Sequence, residues 1–399
     1  MRSLSIIISI IIGISSILLF KNFSNFSNFN NFNNFNNSYP AYFETALTNI
    51  HSLLPSQLSS LIDNLLPMTS APQANTTSTI TTTTIPSLPA LVIPDTMSFP
   101  RVIRKVFLAV EQAEGAGARV RRSIGTPNLR NFSPFLMLDQ FSIKPGAGFP
   151  DHPHRGQETI TYLLSGAVDH EDFAGNKGTI ESGDLQFMTA GKGIMHAEMP
   201  RQNPDGSANV GLQLWVDLPR ELKDCEPRYR DLRAAEIPIV KTDNDKVLIK
   251  VISGKSHGID SVKDLAYTPV WILDITVQPG GKVTQTLPAK WNAFAYTLEG
   301  KANFSSGEDE PQTVDQYHNV VFSPEGDGVT VTVDENATVP ARFVLVAGTP
   351  LDQPIVQYGP FVVNSKEEVY KALMDYQTHS NGFERAEGWQ SEIGKTMVN

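Results

Sequence analysis

Cysteine is nearly absent from this chain: Cys225 is the single one in 399 residues. No intrachain disulfide can form, a cysteine-built metal cluster is excluded, and folding does not depend on an oxidising compartment. Basic charge is also short, with 32 Lys and Arg against 42 Asp and Glu and a net charge of -10. That balance argues against direct nucleic-acid binding through phosphate neutralisation. The first hundred residues hold little charge of either sign: Arg2 and Lys21 against Glu44, Asp63 and Asp95. One local exception is the segment 101–130, where Arg101, Arg104, Lys105, Arg119, Arg121, Arg122 and Arg130 face only Glu111 and Glu114. Such a stretch suits an acidic protein partner, although a solvated strand and loop face is the commoner reason for it.

Long apolar runs are scarce as well. The one at 4–20, between Arg2 and Lys21, is shorter than a comfortable membrane span and has no A-x-A-like cleavage site after it. It reads as a signal anchor in contact with membrane or as a secretory signal. If the chain starts near Met97 instead, the expectation becomes cytoplasm or nucleus. An Asn/Phe/Ser tract follows at 22–37 and cannot build a packed core. Two short amphipathic helices are expected within 42–66 and a Thr-rich linker at 76–84. The expected organisation is therefore 1–40 signal or anchor and low complexity, 41–98 linker, 99–235 a first β-domain and 236–399 a second.

Helical signals are few beyond residue 100. The clear case is late, where Ser365 and Glu368 form a capping box ahead of Val369, Leu373 and Tyr376 on one face. Strand-like runs dominate instead, at 107–110, 159–164, 211–216, 247–252, 270–277, 294–298, 329–333 and 342–346, broken at short intervals by Gly, Pro and Asp. The pattern repeats itself. Pro145-Gly146 leads to Tyr162, Leu164 and Gly166; Pro279-Gly280 leads to Tyr296, Leu298 and Gly300, each pair offset by 134.

The chemistry concentrates in the first copy. His152-Pro153-His154 and His196-Ala197-Glu198 are two i, i+2 pairs of potential ligands. Residues i and i+2 of a strand share one face, so each pair can aim both members into one cavity. Three imidazoles and a carboxylate make a mixed N/O donor set suited to Fe, Mn, Co, Ni, Cu or Zn rather than Ca or Mg. In the second copy His152 maps onto Thr286 and His154 onto Pro288, so one domain is expected to bind metal and the other to be structural. His51, His170, His257, His318 and His379 lack such partners and are read as structural, with His170 set apart by its acidic neighbours Asp169, Glu171 and Asp172.

These residues resemble the cupin signature: Gly146, His152-x-His154, Glu158 and Gly166, then Gly183-Asp184 and His196, with Thr189-Ala190-Gly191 where Pro-x-Gly is usual. The segments FPDHPHRGQETITYLLSG (149–166), GLQLWVDL (211–218) and GPFVVNSKEE (359–368) are similar to the pirin family. The resemblance runs from about residue 101 to the end. It implies an all-β bicupin of two facing antiparallel β-barrels, jelly-roll-like, with a short C-terminal helix. It also implies one non-haem Fe2+ in the N-terminal barrel, held by His152, His154, His196 and Glu198. The activity implied is a quercetin 2,3-dioxygenase type of reaction on a flavonol-like small molecule and O2, with Glu198 as proton acceptor. The alternative implied role is an iron- and redox-sensing transcriptional cofactor that binds a protein partner. Around the ligands, Asp151 and Arg155 are expected to face away and make structural contacts. Gln157 and Met195 are expected to be supports, and Glu158 non-ligating.

Overall fold

The computed structural model describes residues 97–262, 266–306 and 309–397. The expectations for 4–20, 22–37, 42–66 and 76–84 lie outside them. Among the described residues no helix is long and apolar enough to cross a membrane.

The two copies seen in the sequence are two sandwiches with the same count of strands. In the first, a seven-stranded sheet runs Arg228–Leu232, Leu185–Thr189, Gln157–Ser165, Asn209–Asp217, Phe135–Ile143, Ala118–Ile124 and Glu111–Glu114. A four-stranded sheet of Phe149–His154, Ile194–Pro200, Ala167–Asp172 and Lys177–Glu181 covers it. The second sandwich repeats this with seven strands around Asn292–Glu299 and Ala341–Gly348, and four around Lys282–Thr286 and Gly328–Thr332. Each half is thus a jelly roll of two sheets, the jelly-roll-like form expected from the sequence, although among the described residues the hydrogen-bonded ladder does not close into a complete barrel in either.

The two large sheets pack against each other. Ile160, Tyr162, Leu212 and Leu214 of the first meet Ile272, Phe294, Val344 and Val346 of the second in one buried cluster, with Phe135 edge-on to Phe294 at 5.2 Å. A cavity of about 430 Å³ opens at this seam, lined by Tyr162, Lys250, Asp274 and Arg342 among others, and none of the histidines reaches it.

The interiors of the two halves differ. Trp271, Ala293, Phe304, Phe322 and Phe343 fill the second, all buried. In the first, the inner face of the large sheet carries a polar row in cross-strand register: Asp231, Gln186, Thr161, Gln213 and Asp139. An aromatic interior leaves no room for ligand side chains, and the polar one surrounds them.

Sequence order and sheet membership part company at the start of the body. The Ile103–Leu108 strand, placed with the first half by its position in the chain, hydrogen-bonds to His318–Phe322 in the second half's large sheet. Arg101 goes with it. It is fully buried, and its guanidinium donates to the carbonyls of Trp291 (2.6 Å) and Pro288 (2.7 Å). Burial pushes its pKa down to about 10. Pro288 is the residue that replaces His154 in the repeat.

The late helix spans Lys366–Gln377 with Ser365 as N-cap, whose side chain accepts from the Glu368 N–H. Glu368 reaches back to the N–H of Asn364, one residue earlier than a capping box requires. Leu373 and Tyr376 pack with Met195, Phe361 and Phe383, which brings the helix onto the first half.

Candidate metal centre

Both ligand pairs lie on adjacent antiparallel strands of the four-stranded sheet. Phe149–His154 is its edge strand, and an edge tolerates the missing N–H groups of Pro150 and Pro153. His152 sits opposite His196 and His154 opposite Ile194. The register then slips by one, setting Glu198 against Phe149, so Pro150 and Asp151 share the space beside Ala197 as a bulge does.

The three imidazoles converge. One ring nitrogen from each of His152, His154 and His196 lies within 4.8 Å of the others, and ring centroids are 4.3 to 4.9 Å apart. His152 Nδ1 donates to the Pro150 carbonyl at 2.8 Å, which leaves Nε2 as its lone-pair nitrogen. His154 Nε2 and both nitrogens of His196 are buried without a hydrogen-bond partner. Burial pushes the pKa of His152 down and those of His154 and His196 well down, and repulsion among the rings adds to it for the latter two. All three are neutral near pH 7, the form in which imidazole binds a metal. Unpartnered buried polar atoms are uncommon, and three of them in one cluster of neutral donors fit a transition-metal ion. The Gln157 amide nitrogen lies 2.9 Å from His154 Nδ1 and also donates to the Pro360 carbonyl at 3.2 Å, so it holds the His154 ring in place.

Glu198 shares the inward face of its strand with His196 but does not belong to the group of mutually close ligand atoms. Its Oε1 accepts from Thr161 Oγ1 at 3.2 Å, and no described residue bonds Oε2. Burial raises its pKa, with the Thr161 bond and His170 opposing. The sequence thus placed Glu198 on the right face, while the described geometry brings only the histidines together.

The flanking residues take the roles expected of them. Asp151 and Arg155 point away and bind the C-terminal segment. Gln157 supports His154, and Met195 packs in an apolar cluster. Glu158 is turned to the other side, where it accepts from Thr189 Oγ1 and the N–H groups of Tyr267 and Thr268. At Gly191, with φ of +48°, a Cβ would lie 2.1 Å from the Cys225 carbonyl oxygen. The glycine lets the backbone pass there on its way to His196.

His170, read from the sequence as structural and set apart by its acidic neighbours, is a hydrogen-bonded interior residue. It is buried directly opposite Glu198 on the neighbouring strand, bonded through Nδ1 to Tyr229 Oη at 2.8 Å and through Nε2 to Asp231 at 3.3 Å. Period-two alternation of Val168, His170 and Asp172 was the available signal, since all three are buried on one face. The residues the sequence did not reveal are Trp215, edge-on to His154 at 5.1 Å, and Thr161, because a lone Trp or Thr on a strand has no signature.

Comparison with known proteins covers both halves. The family described as Pirin matches residues 117–216, and the Pirin C-terminal cupin domain matches 272–382. A pirin-like protein of Solanum lycopersicum is 48% identical over 295 residues, 74% of this chain and 98% of its own length. Pirin of Homo sapiens is 46% identical over 295 residues, 73% of this chain and 98% of its own. Among solved structures, a quercetin 2,3-dioxygenase from Acinetobacter baumannii superposes with a TM-score of 0.64 at 28% identity, over 70% of this chain and 98% of that one. GK1651 from Geobacillus kaustophilus gives 0.56 at 34% identity, over 65% and 100%. Two jelly rolls with the three-histidine cluster in the first, matched along both halves, place this chain in the pirin family.

Proposed function

We propose that this pirin-family chain is a metal-dependent dioxygenase of the quercetin 2,3-dioxygenase type, with Fe2+ held by His152, His154, His196 and Glu198. The observation that carries the reading is the buried cluster of three neutral imidazoles with unpartnered nitrogens. Likeness to the Acinetobacter baumannii quercetin 2,3-dioxygenase supports the substrate class, a flavonol with O2. A bound iron supplies a Lewis acid for the flavonol 3-hydroxyl and a redox partner for O2, in a reaction that opens the heterocycle and releases carbon monoxide.

The chain's own groups divide the remaining work. The Pro150 carbonyl and the Gln157 amide fix the rings of His152 and His154. Thr161 holds Glu198 by Oε1, which leaves Oε2 as the atom that turns from the metal to accept the hydroxyl proton. Trp215 packs beside His154, and its buried Nε1–H, which has no partner among the described residues, donates to a substrate oxygen.

Iron content and quercetin consumption of the full chain, measured for the wild type and for His152→Ala and Glu198→Ala, test this. The expected result is one iron per chain with turnover lost in both variants. Iron without turnover removes the dioxygenase reading and favours the iron-sensing cofactor. The surface offered for a protein partner of that cofactor is modest in charge. Arg119 and Arg121 pair with Glu111, and Arg122 with Asp139 and Glu114.

A further inference from the structure

On the outward faces of the ligand strands and their flanks, Asp151, Arg155 and Met195 are engaged by one segment, 360–394, which follows the second sandwich in sequence and returns to the first. Arg155, the residue after His154, is the centre of the contact and is 5% exposed. Its Nη1 donates to Asp375 Oδ2 on the helix at 2.8 Å and its Nη2 to the Asn381 carbonyl at 2.7 Å. Its Nε donates to the Lys192 carbonyl at 2.6 Å, in the turn that leads to His196. The guanidinium lies 4.8 Å from the Phe383 ring, which itself packs against Met195, the residue before His196. Asp375 is fixed in turn, since its Oδ1 accepts from Asn381 Nδ2 at 2.7 Å. Farther along, the Ser391 N–H donates to Asp151, the residue before His152.

We propose that Asp375 is a positioning residue of the metal centre. It acts through Arg155 to set the spacing between the strand carrying His152 and His154 and the turn that delivers His196. A planar fork with three fixed acceptors holds two backbone segments at a set distance, which a flexible ammonium cannot do. Metal sites depend on ligand placement within about 0.2 Å, and groups outside the ligand set commonly change affinity by about 10- to 100-fold. The proposal rests on the metal-centre reading and is independent of the substrate.

Cobalt(II) titration of the full chain, followed by its visible absorption bands, tests it together with thermal unfolding of the metal-free protein. Asp375→Asn and Arg155→Gln are each expected to weaken cobalt binding about tenfold and shift the bands. The double variant should be no weaker than the worse single one. Asn381→Gly removes the bond that fixes the Asp375 carboxylate while tolerating φ of 49°, and is expected to cost about threefold. It serves if Asp375→Asn does not fold. Lower unfolding midpoints with unchanged cobalt affinity and bands would show a purely structural latch and overturn the proposal. A wild-type chain that takes up no cobalt overturns the metal-centre reading along with it.

Discussion

His154 and His196 carry no charge in the fold because each lies about 1% exposed in an interior that cannot solvate it. Their pKa values are well below the ordinary 6.5. The unfolded chain therefore binds more protons than the folded one below that value. By linkage their contribution to stability is complete above about pH 6.5 and declines as the pH falls toward the folded pKa. Glu198 acts with the opposite sign: its raised pKa contributes stability below about 4.5 that is lost as the pH rises through the folded value. The part of the pH profile that the two histidines contribute is a fall in the unfolding temperature of the metal-free protein as the pH drops below about 6.5. His196→Gln, which cannot take up the proton, should flatten the profile. A profile equally steep in the variant would place the acid sensitivity elsewhere. His170 shows the limit of reading single residues, since its cross-strand neighbour, Glu198, lies 28 positions away.

At the scale of elements, spacing was a good guide to which face a residue occupies and a poor one to its partners. The alternation in 152–154 and 196–198 put the ligand pairs on one face each, although prolines at 150 and 153 disguise the first strand as a loop. They are tolerated because that strand lies at a sheet edge. The offset of 134 between repeats gave two copies with the metal residues in one of them. Nothing in the local pattern of Ile103–Leu108 reveals that its ladder lies in the other half, because pairing depends on His318–Phe322. Nor did the helix signal at Ser365 show that Asp375 would face Arg155 across the fold. The turn at 190–193 is tightly determined. Gly191→Ala adds a Cβ against the Cys225 carbonyl and imposes an unfavourable φ. It should destabilise by about 2–4 kcal/mol through strain and overpacking. Urea denaturation measures it, and a loss below about 0.5 kcal/mol would mean the turn relaxes freely.

For the whole molecule, the seam between the sandwiches decides cooperativity. The buried cluster there draws Leu138, Ile160, Tyr162 and Leu214 from one half and Ile272, Phe294, Val344 and Val346 from the other. Separating the halves would expose this shared core, so a single calorimetric transition with equal calorimetric and van't Hoff enthalpies is expected for the body. Two resolved peaks would show that each half is stable alone. The interior of the second half is closed by aromatic packing, with Phe304 in ring contact with both Phe322 and Phe343. The Ile103–Leu108 strand has a further effect, on the order of events as the chain is made. It leaves the ribosome roughly 215 residues before the strand it pairs with. At about 5–20 residues per second it waits on the order of ten to forty seconds without its neighbour. During that interval Val106 and Phe107 are open to mispairing, so the nascent chain is most vulnerable to aggregation before its second half has been translated.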